Sequence, residues 1–555
     1  MEPEALSPAR NIVIKMKSAF WVLTLACAIN AASAQEVVIP DSGLNAAIRN
    51  ALQKPIGPLT EADFLALTNL DASDRNISNL AGLENAHNLV TLKLFHNHLA
   101  DFSIPPDFTN LVALDLSFNV ITNFSVPVEV TNIVTLNLSD NGLTALTLPT
   151  NLSGVTNLNI EDNGLSSFKL PSYMTNTAVL DVGFNSLTNF VLPAGITHLK
   201  SLIASGNLLT NVILPVDLVN LKSADFHINN LIAFVLPPSL NGLTNLDLDE
   251  NQLANFNLPA GMTNLVLLDL SFNQLTNLTL PADLANLFDL NLNFNAFTDL
   301  NLPAGLNGLS RLHLRANQFT NYTLHDDLTS LTYLDISQCP LEALLLPANL
   351  GHLQTLNLAK NNLADLTLPI GMTNLAAINL SQNQLTNLVL PSDLFHLQTL
   401  NLGGNQLEVL TLPSGMTNLT GLFVTGNNFT ALTLPPDMTQ ITSFGFLANP
   451  LITLVLPEPL SLPLADTIEA LHNNGVLVLT YPVAVALQFP RATIDGFNIN
   501  ATGPPGVYKL FSSDDLVTWT ELTTATNTSG AARFDDPTVS PPPQRFYRVA
   551  RISAL

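Results

Sequence analysis

The stretch LVLLDLSFNQLTNLTLPADL, from Leu265 to Leu284, decides the fold. It reads L-x-x-L-x-L-x-x-N-x-L-x-x-[FL]-x-L-P-x-x-[LM], and the chain repeats this unit almost without change. Asparagine returns every 22 residues at Asn97, Asn119, Asn141, Asn163, Asn185, Asn207, Asn229, Asn251, Asn273, Asn295, Asn317, Asn361, Asn383, Asn405, Asn427 and Asn449. Cys339 alone interrupts that series. A second ladder, of proline, runs from Pro105, Pro127 and Pro149 to Pro457, and His325 alone breaks it. Self-similarity at a fixed period of this length is the signature of a stacked-repeat architecture.

The pattern carries its own physics. In an L-x-L triplet the leucines point to one side and the intervening residues to the other, as in a strand. Leu114 and Leu116 therefore face inward, while Asp115 and Ser117 face out. One turn cannot bury its leucines alone, but stacked turns can, each buried leucine contributing roughly 1.5–3 kcal/mol. The asparagine at the bend can bond backbone groups that stacking would otherwise leave unpaired. The second half-turn, such as NFVLP at Asn189–Pro193, also alternates, and its proline disfavours a helix. The expectation is a solenoid with a parallel sheet on one side, a mostly extended opposite side and few helices.

This pattern resembles the leucine-rich repeat family over residues 67–457. The resemblance implies a horseshoe or arc with the parallel sheet on its concave face. The preceding segment, IPDSGLNAAIRNALQKPIGPLTEADFLALTNLDASDRNISNLAGLENAHNL, resembles the helical N-terminal cap of secreted bacterial, internalin-like proteins. Leu44, Ile48 and Leu52 form a helical stripe there, and Thr60 with Asp63 reads as a capping box. The cap is expected over 35–66. A short helix and a closing strand are expected in LADTIEALHNNGVLVLTYP, giving a C-terminal cap over 458–482. From 483 to 555 leucine thins, and alternation with turn signals predicts a small antiparallel β-module, sandwich-like. Its DLVTW and FYR motifs resemble those of C-terminal modules common on exported bacterial proteins.

The N-terminus reads as an export signal. Lys15 and Lys17 precede the apolar run AFWVLTLACAI, and NAASAQ supplies small residues for cleavage after Ala34. The signal spans 1–34, with Met16 as an alternative start. The run is too short to cross a bilayer, and no later segment is apolar enough. A secreted or cell-surface protein is expected, with Cys339 the one cysteine left after cleavage and no internal disulfide.

Composition narrows the function classes. The chain has 555 residues with 19 basic and 43 acidic, a net charge of −24, and 47% hydrophobic residues. So acidic a surface repels phosphate, which argues against nucleic acid as a partner. No P-loop, G-x-S-x-G, H-E-x-x-H or paired C-x-x-C occurs. The reading is therefore a non-catalytic, monomeric protein that binds another protein through its sheet face. A structural or adhesive surface component anchored by the C-terminal module is the alternative. A polysaccharide or protein hydrolase finds no nucleophile–base pair to support it.

Three features of the exposed face stand out. An acid-and-amide column includes Asp115, Asn137, Asn159, Asp181, Asp225, Asp247, Asp269, Asn291, Asp335 and Asn357. Asp225, Asp247 and Asp269 in successive turns, with Asp249 and Glu250 beside them, invite a cation such as calcium, against simple solvation of the face. His96 and His98 flank Asn97 and could share a metal, against surface decoration. Arg311, His313 and Arg315 face Tyr333 and Asp335 in the next strand, a basic strand on an acidic face. It reads either as a partner-binding centre, since Arg and Tyr are favoured hot-spot residues, or as a degenerate turn whose arginines pair with neighbouring carboxylates. Phe118, Phe184, Phe272 and Phe294 precede ladder asparagines, as exposed contacts or rim packing. Tyr508, Trp519, Phe546 and Tyr547 are read as module core rather than a sugar-stacking platform.

Overall fold

A computed structural model describes residues 35–493, 496–538 and 544–554. The expected export signal, with Met16, lies outside the described residues. The chain divides into two compact units, the first ending at Leu209 and the second beginning at Thr210.

The first unit opens with the helix Ser42–Ala51, capped by Asp41, whose Oδ1 accepts the amides of Gly43 and Leu44. Leu44 and Ile48 of the stripe are fully buried. The helix Glu61–Leu65 follows, with the Thr60–Asp63 capping box in place: Thr60 N–H donates to Asp63 Oδ2 at 2.7 Å. Seven three-residue strands then stack in parallel, from Asn69–Asp71 to Ser201–Ile203. The register advances by one repeat per strand, as in Leu92↔Leu114↔Leu136.

The second unit continues the same logic through eleven parallel strands, from Ser223–Asp225 to Ser443–Gly445. Its second half-turns are extended, and some pair as short strands, such as Asn255–Asn257 with Asn277–Thr279. Among the described residues of this unit the one α-helix is Ala465–Asn473. The strand Leu477–Tyr481 follows it and pairs in parallel with Thr453–Pro457. The solenoid with few helices is thus the observed architecture.

The core of a turn follows the sequence pattern: Leu265, Leu268, Leu270, Leu275 and Leu284 are all at or below 1% exposure. The ladder asparagine supplies the polar half. Asn295 Nδ2 donates to the carbonyls of Leu270 and Leu292, and its Oδ1 accepts the Leu275 amide. One side chain therefore ties its own bend to the preceding turn and satisfies three buried backbone groups. Asn97 and Asn405 make the same set. The bend also forces the residue before the ladder position into the left-handed region, with φ near +50° at Phe118, Phe272 and Phe294. Gly206, Gly404 and Gly426 meet that requirement without a side-chain clash.

Beyond 483, two antiparallel sheets pack together. One joins Ala486–Leu487, Arg491–Thr493 and Ala531–Asp536 to Gly496–Thr502. The other places Gly506–Ser513 between Thr520–Asn527 and Phe546–Ala554. Ile499, Tyr508, Leu510 and Phe534 form the core, with Tyr547 packed against it. Trp519 stays outside this core. Its ring and that of Phe511 hold the Arg548 guanidinium at 4.6 and 5.0 Å.

Candidate functional site

In the second unit the outward residues of successive strands form two rows. One runs Asp225, Asp247, Asp269, Asn291, His313, Asp335, Asn357, and the other Ser223, Asn245, Leu267, Asp289, Arg311, Tyr333, Thr355. The strand fixes which side chains face out, and the 22-residue register fixes which are neighbours. A depression of about 400 Å³ lies on this face, lined by Asp225, Asp247, Asp269, Asp289, Arg311 and His313 among others.

The first row has a structural job that explains its composition. Asp115 Oδ1 accepts the Ser117 amide, Asn137 Oδ1 that of Ser139, Asp225 Oδ1 that of His227, and Asp247 Oδ1 that of Asp249. The same bond recurs at Asp269, Asn291, Asp335 and Asn357. Each of these strands thus ends in an Asx turn, which Asp and Asn serve equally well. His313 breaks the row. There the Arg315 amide is taken instead by Asn293 Oδ1 of the preceding turn, at 2.8 Å.

Where the row is acidic, charge accumulates. Asp269 Oδ1 accepts from Ser271 Oγ and Oδ2 from Asn291 Nδ2, and Ser271 Oγ also lies 2.7 Å from Asp249 Oδ1. Asp247 has fewer donors. Its carboxyl is raised to about 6: burial is the largest cause, the charges of Asp269 and Asp225 add to it, and the Asp249 amide and His227 pull against it. His227 Nδ1 stands 2.7 Å from Asp225 Oδ1. Burial of the imidazole opposes its charge, but the bond to Asp225 and the fields of Asp225, Asp247 and Asp249 outweigh it and raise the pKa.

The basic strand sits at the edge of this field. Arg311 is 3.9 Å from Asp289 and its side chain is 55% exposed, a loose pair. His313 lies 3.3 Å from Asp289 and packs against Tyr333 with the rings tilted and their centroids 4.8 Å apart. The Tyr333 hydroxyl donates to Asp335, and Asn357 does so too. Arg315 lies over the Phe294 ring at 5.4 Å, and its buried Nε has no hydrogen-bond acceptor among the described residues. Arg311, His313 and Tyr333 therefore form one contiguous patch, with Arg315 at its border against Phe294; Asp335, expected to face a partner, is instead 5% exposed, its oxygens taken up by Tyr333, the Ser337 amide and Asn357. The Phe294 ring also stacks on Phe272 at 4.2 Å. Phe118, Phe184 and Phe272 are each about half exposed.

Cys339 is buried in the ladder. Its sulfur accepts the Asn317 amide at 3.4 Å, and burial pushes the thiol up to about 11. In the proline ladder, His325 Nδ1 accepts the Asp327 amide at 3.3 Å. His96 bonds Asp74, while His98 is exposed. Among the described residues one trio of metal-ligating groups converges: Asp225, His227 and Asp247. His227 escaped the sequence reading. It lies past the strand end, and only the Asx turn folds its ring back onto Asp225.

Parallel strands in one-repeat register, leucine-filled turns and an asparagine ladder define a class: this chain is a leucine-rich repeat protein. The family described as BspA type leucine rich repeat region matches it in six copies, over residues 182–279, 286–405 and 357–462. Among solved structures, YopM from Yersinia enterocolitica WA-314 is similar, at a TM-score of 0.60 and 26% identity, covering 79% of this chain and 88% of that one. A chain of the Drosophila Toll–Spatzle complex matches at a TM-score of 0.51 and 20% identity, covering 68% and 55% respectively. The functional domain of InlJ from Listeria monocytogenes matches at a TM-score of 0.43 and 23% identity, covering 75% and 74%. No curated protein matches the chain. No helix among the described residues is long and apolar enough to cross a membrane.

Proposed function

We propose that this is an exported bacterial binding protein that engages a protein partner, without catalysis, through the exposed face of its main sheet. The observation that carries the reading is the patch of Arg311, His313 and Tyr333, its tyrosine held by the buried Asp335, at the edge of the acidic depression. Rigid turns hold these groups in fixed register, so little side-chain freedom is lost when a partner docks. A partner carboxylate meeting Arg311 and Arg315, and a basic group meeting Asp269, would match both halves of the surface. The protein acts as a monomer, secreted or held at the cell surface.

The test is capture from candidate partner extracts with the full chain, followed by cross-linking to map the contact, beside Arg311→Ala/Arg315→Ala. Cross-links on the strands Asp289–Asn291 to Tyr333–Asp335, with capture lost in the variant, support the reading. Equal capture by both chains, or cross-links confined to other surfaces, refutes it.

A second reading rests on the separate core of the C-terminal module, around Tyr508 and Phe534. A segment with a core cluster of its own suits attachment, making the protein a structural or adhesive surface component. Loss of cell-surface retention on deletion of residues 483–555 favours this; unchanged retention removes it.

A further inference from the structure

We propose that Asp225, His227 and Asp247 form a binding site for one divalent transition-metal ion of the zinc class. This goes beyond the partner-binding reading and does not depend on it.

The geometry comes first. Each of the three residues offers one donor atom, and the three atoms lie within 4.8 Å of one another. His227 Nδ1 and Asp225 Oδ1 are 2.7 Å apart. Asp225 and Asp247 are register partners on adjacent parallel strands, so the backbone itself holds the two carboxylates side by side. Metal–ligand bonds of about 2.0–2.2 Å place tetrahedral ligand atoms roughly 3–3.5 Å apart, which side-chain rotation reaches from this arrangement. The His227 and Asp225 side chains are 28% and 26% exposed, so an ion can enter from solvent.

The imidazole separates this site from a bare group of acids. Three carboxylates on a sheet face would favour calcium or magnesium, which take oxygen ligands and six or more of them in the case of calcium. One nitrogen and two carboxylate oxygens instead suit zinc, nickel or cobalt. The neighbouring acids are engaged elsewhere. Both oxygens of Asp269 accept hydrogen bonds, and Asp249 is held by Ser271. They contribute negative field around the site rather than ligands. Three protein donors leave a coordination position open toward the depression lined by Asp269 and Asp289. An incoming ion replaces the proton shared between His227 and Asp225 and relieves the repulsion between Asp225 and Asp247.

The experiment uses the full chain without an affinity tag, stripped with chelator and titrated calorimetrically with Zn²⁺ and, separately, Ca²⁺. Co²⁺ absorption reports the coordination geometry. The expected result is one Zn²⁺ per chain, weakened at least about tenfold in His227→Gln and in Asp225→Asn, with His96→Gln unaffected. Circular dichroism establishes that each variant is folded. Asp225→Asn keeps the Asx-turn acceptor, so it tests the ligand without removing the turn. Absence of Zn²⁺ binding, binding unchanged in both His227→Gln and Asp225→Asn, or Ca²⁺ binding as tight as Zn²⁺ would overturn the proposal.

Discussion

Replacing Asp247 by asparagine should stabilise the chelator-treated, metal-free protein at neutral pH. Asparagine already holds the equivalent position at Asn291, Asn357, Asn379 and Asn401, each accepting the amide two residues on. The variant therefore keeps the acceptor for the Asp249 amide while removing the charge. Asp247 is raised from 3.8 to about 6 in the folded chain by burial and by Asp269 and Asp225. The folded state thus holds its proton more tightly than the unfolded state. That preference favours folding fully below pH 3.8, and it is lost as pH rises through 6. At pH 8 both states are ionised, and the folded one bears the cost of the charge. A shift of about two units corresponds to roughly 3 kcal/mol, a ceiling that partial exposure lowers to about 2 kcal/mol. Asp247→Asn should gain that much at pH 8 and nothing at pH 3.5. Urea unfolding at both pH values reads the difference. Hydrogen exchange of the amides around 245–249 reads it locally, since coupled turns need not unfold in one step. Equal or lower stability of the variant at pH 8, or a gain that persists at pH 3.5, would refute the electrostatic account.

Asn295→Leu should cost on the order of 3 kcal/mol, because the Leu275 amide and two carbonyls lose their buried partner; faster hydrogen exchange in the flanking turns and a lower urea midpoint check it. Cys339 should resist alkylation at pH 8 in the folded chain and react promptly in denaturant, since its thiol is buried and raised to about 11; rapid labelling of the native protein would contradict that environment. In the C-terminal module, Arg545 lies 3.1 Å from Asp536, whose side chain is fully buried and also accepts from the Tyr547 hydroxyl. Arg545→Ala should leave that carboxylate uncompensated and destabilise the module by about 3 kcal/mol, seen as earlier proteolysis after residue 483.

The repeat made most of the fold legible. A 22-residue period puts the same residue type at the same place in every turn, so Leu268, Asn273 and Pro281 each announce a column rather than an isolated contact. Stacking is the one arrangement that buries those leucines and pairs the bend groups through asparagine. The helix Ser42–Ala51 and the capping box at Thr60 and Asp63 were readable for a different reason, since caps and amphipathic stripes are local in sequence. The module beyond 483 was readable as antiparallel strands, but not in its detail. Tyr508 went inside and Trp519 to an arginine stack because sheet-on-sheet packing, not alternation, assigns the core.

What the sequence could not decide is what the exposed column does. Asp115 and Asn137 look like solvated polar residues in the chain, yet both close Asx turns. At Arg315 the missing turn acceptor is replaced by Asn293 from the preceding turn, a substitution visible only once the two bends are side by side. His227 lies outside the strand in sequence, but its ring meets Asp225 and Asp247 in space. The sequence by itself determined the architecture, because period and polarity act within and between identical turns. Only the tertiary structure decided which charges share a low-dielectric surface, because that depends on where each side chain turns after leaving its strand.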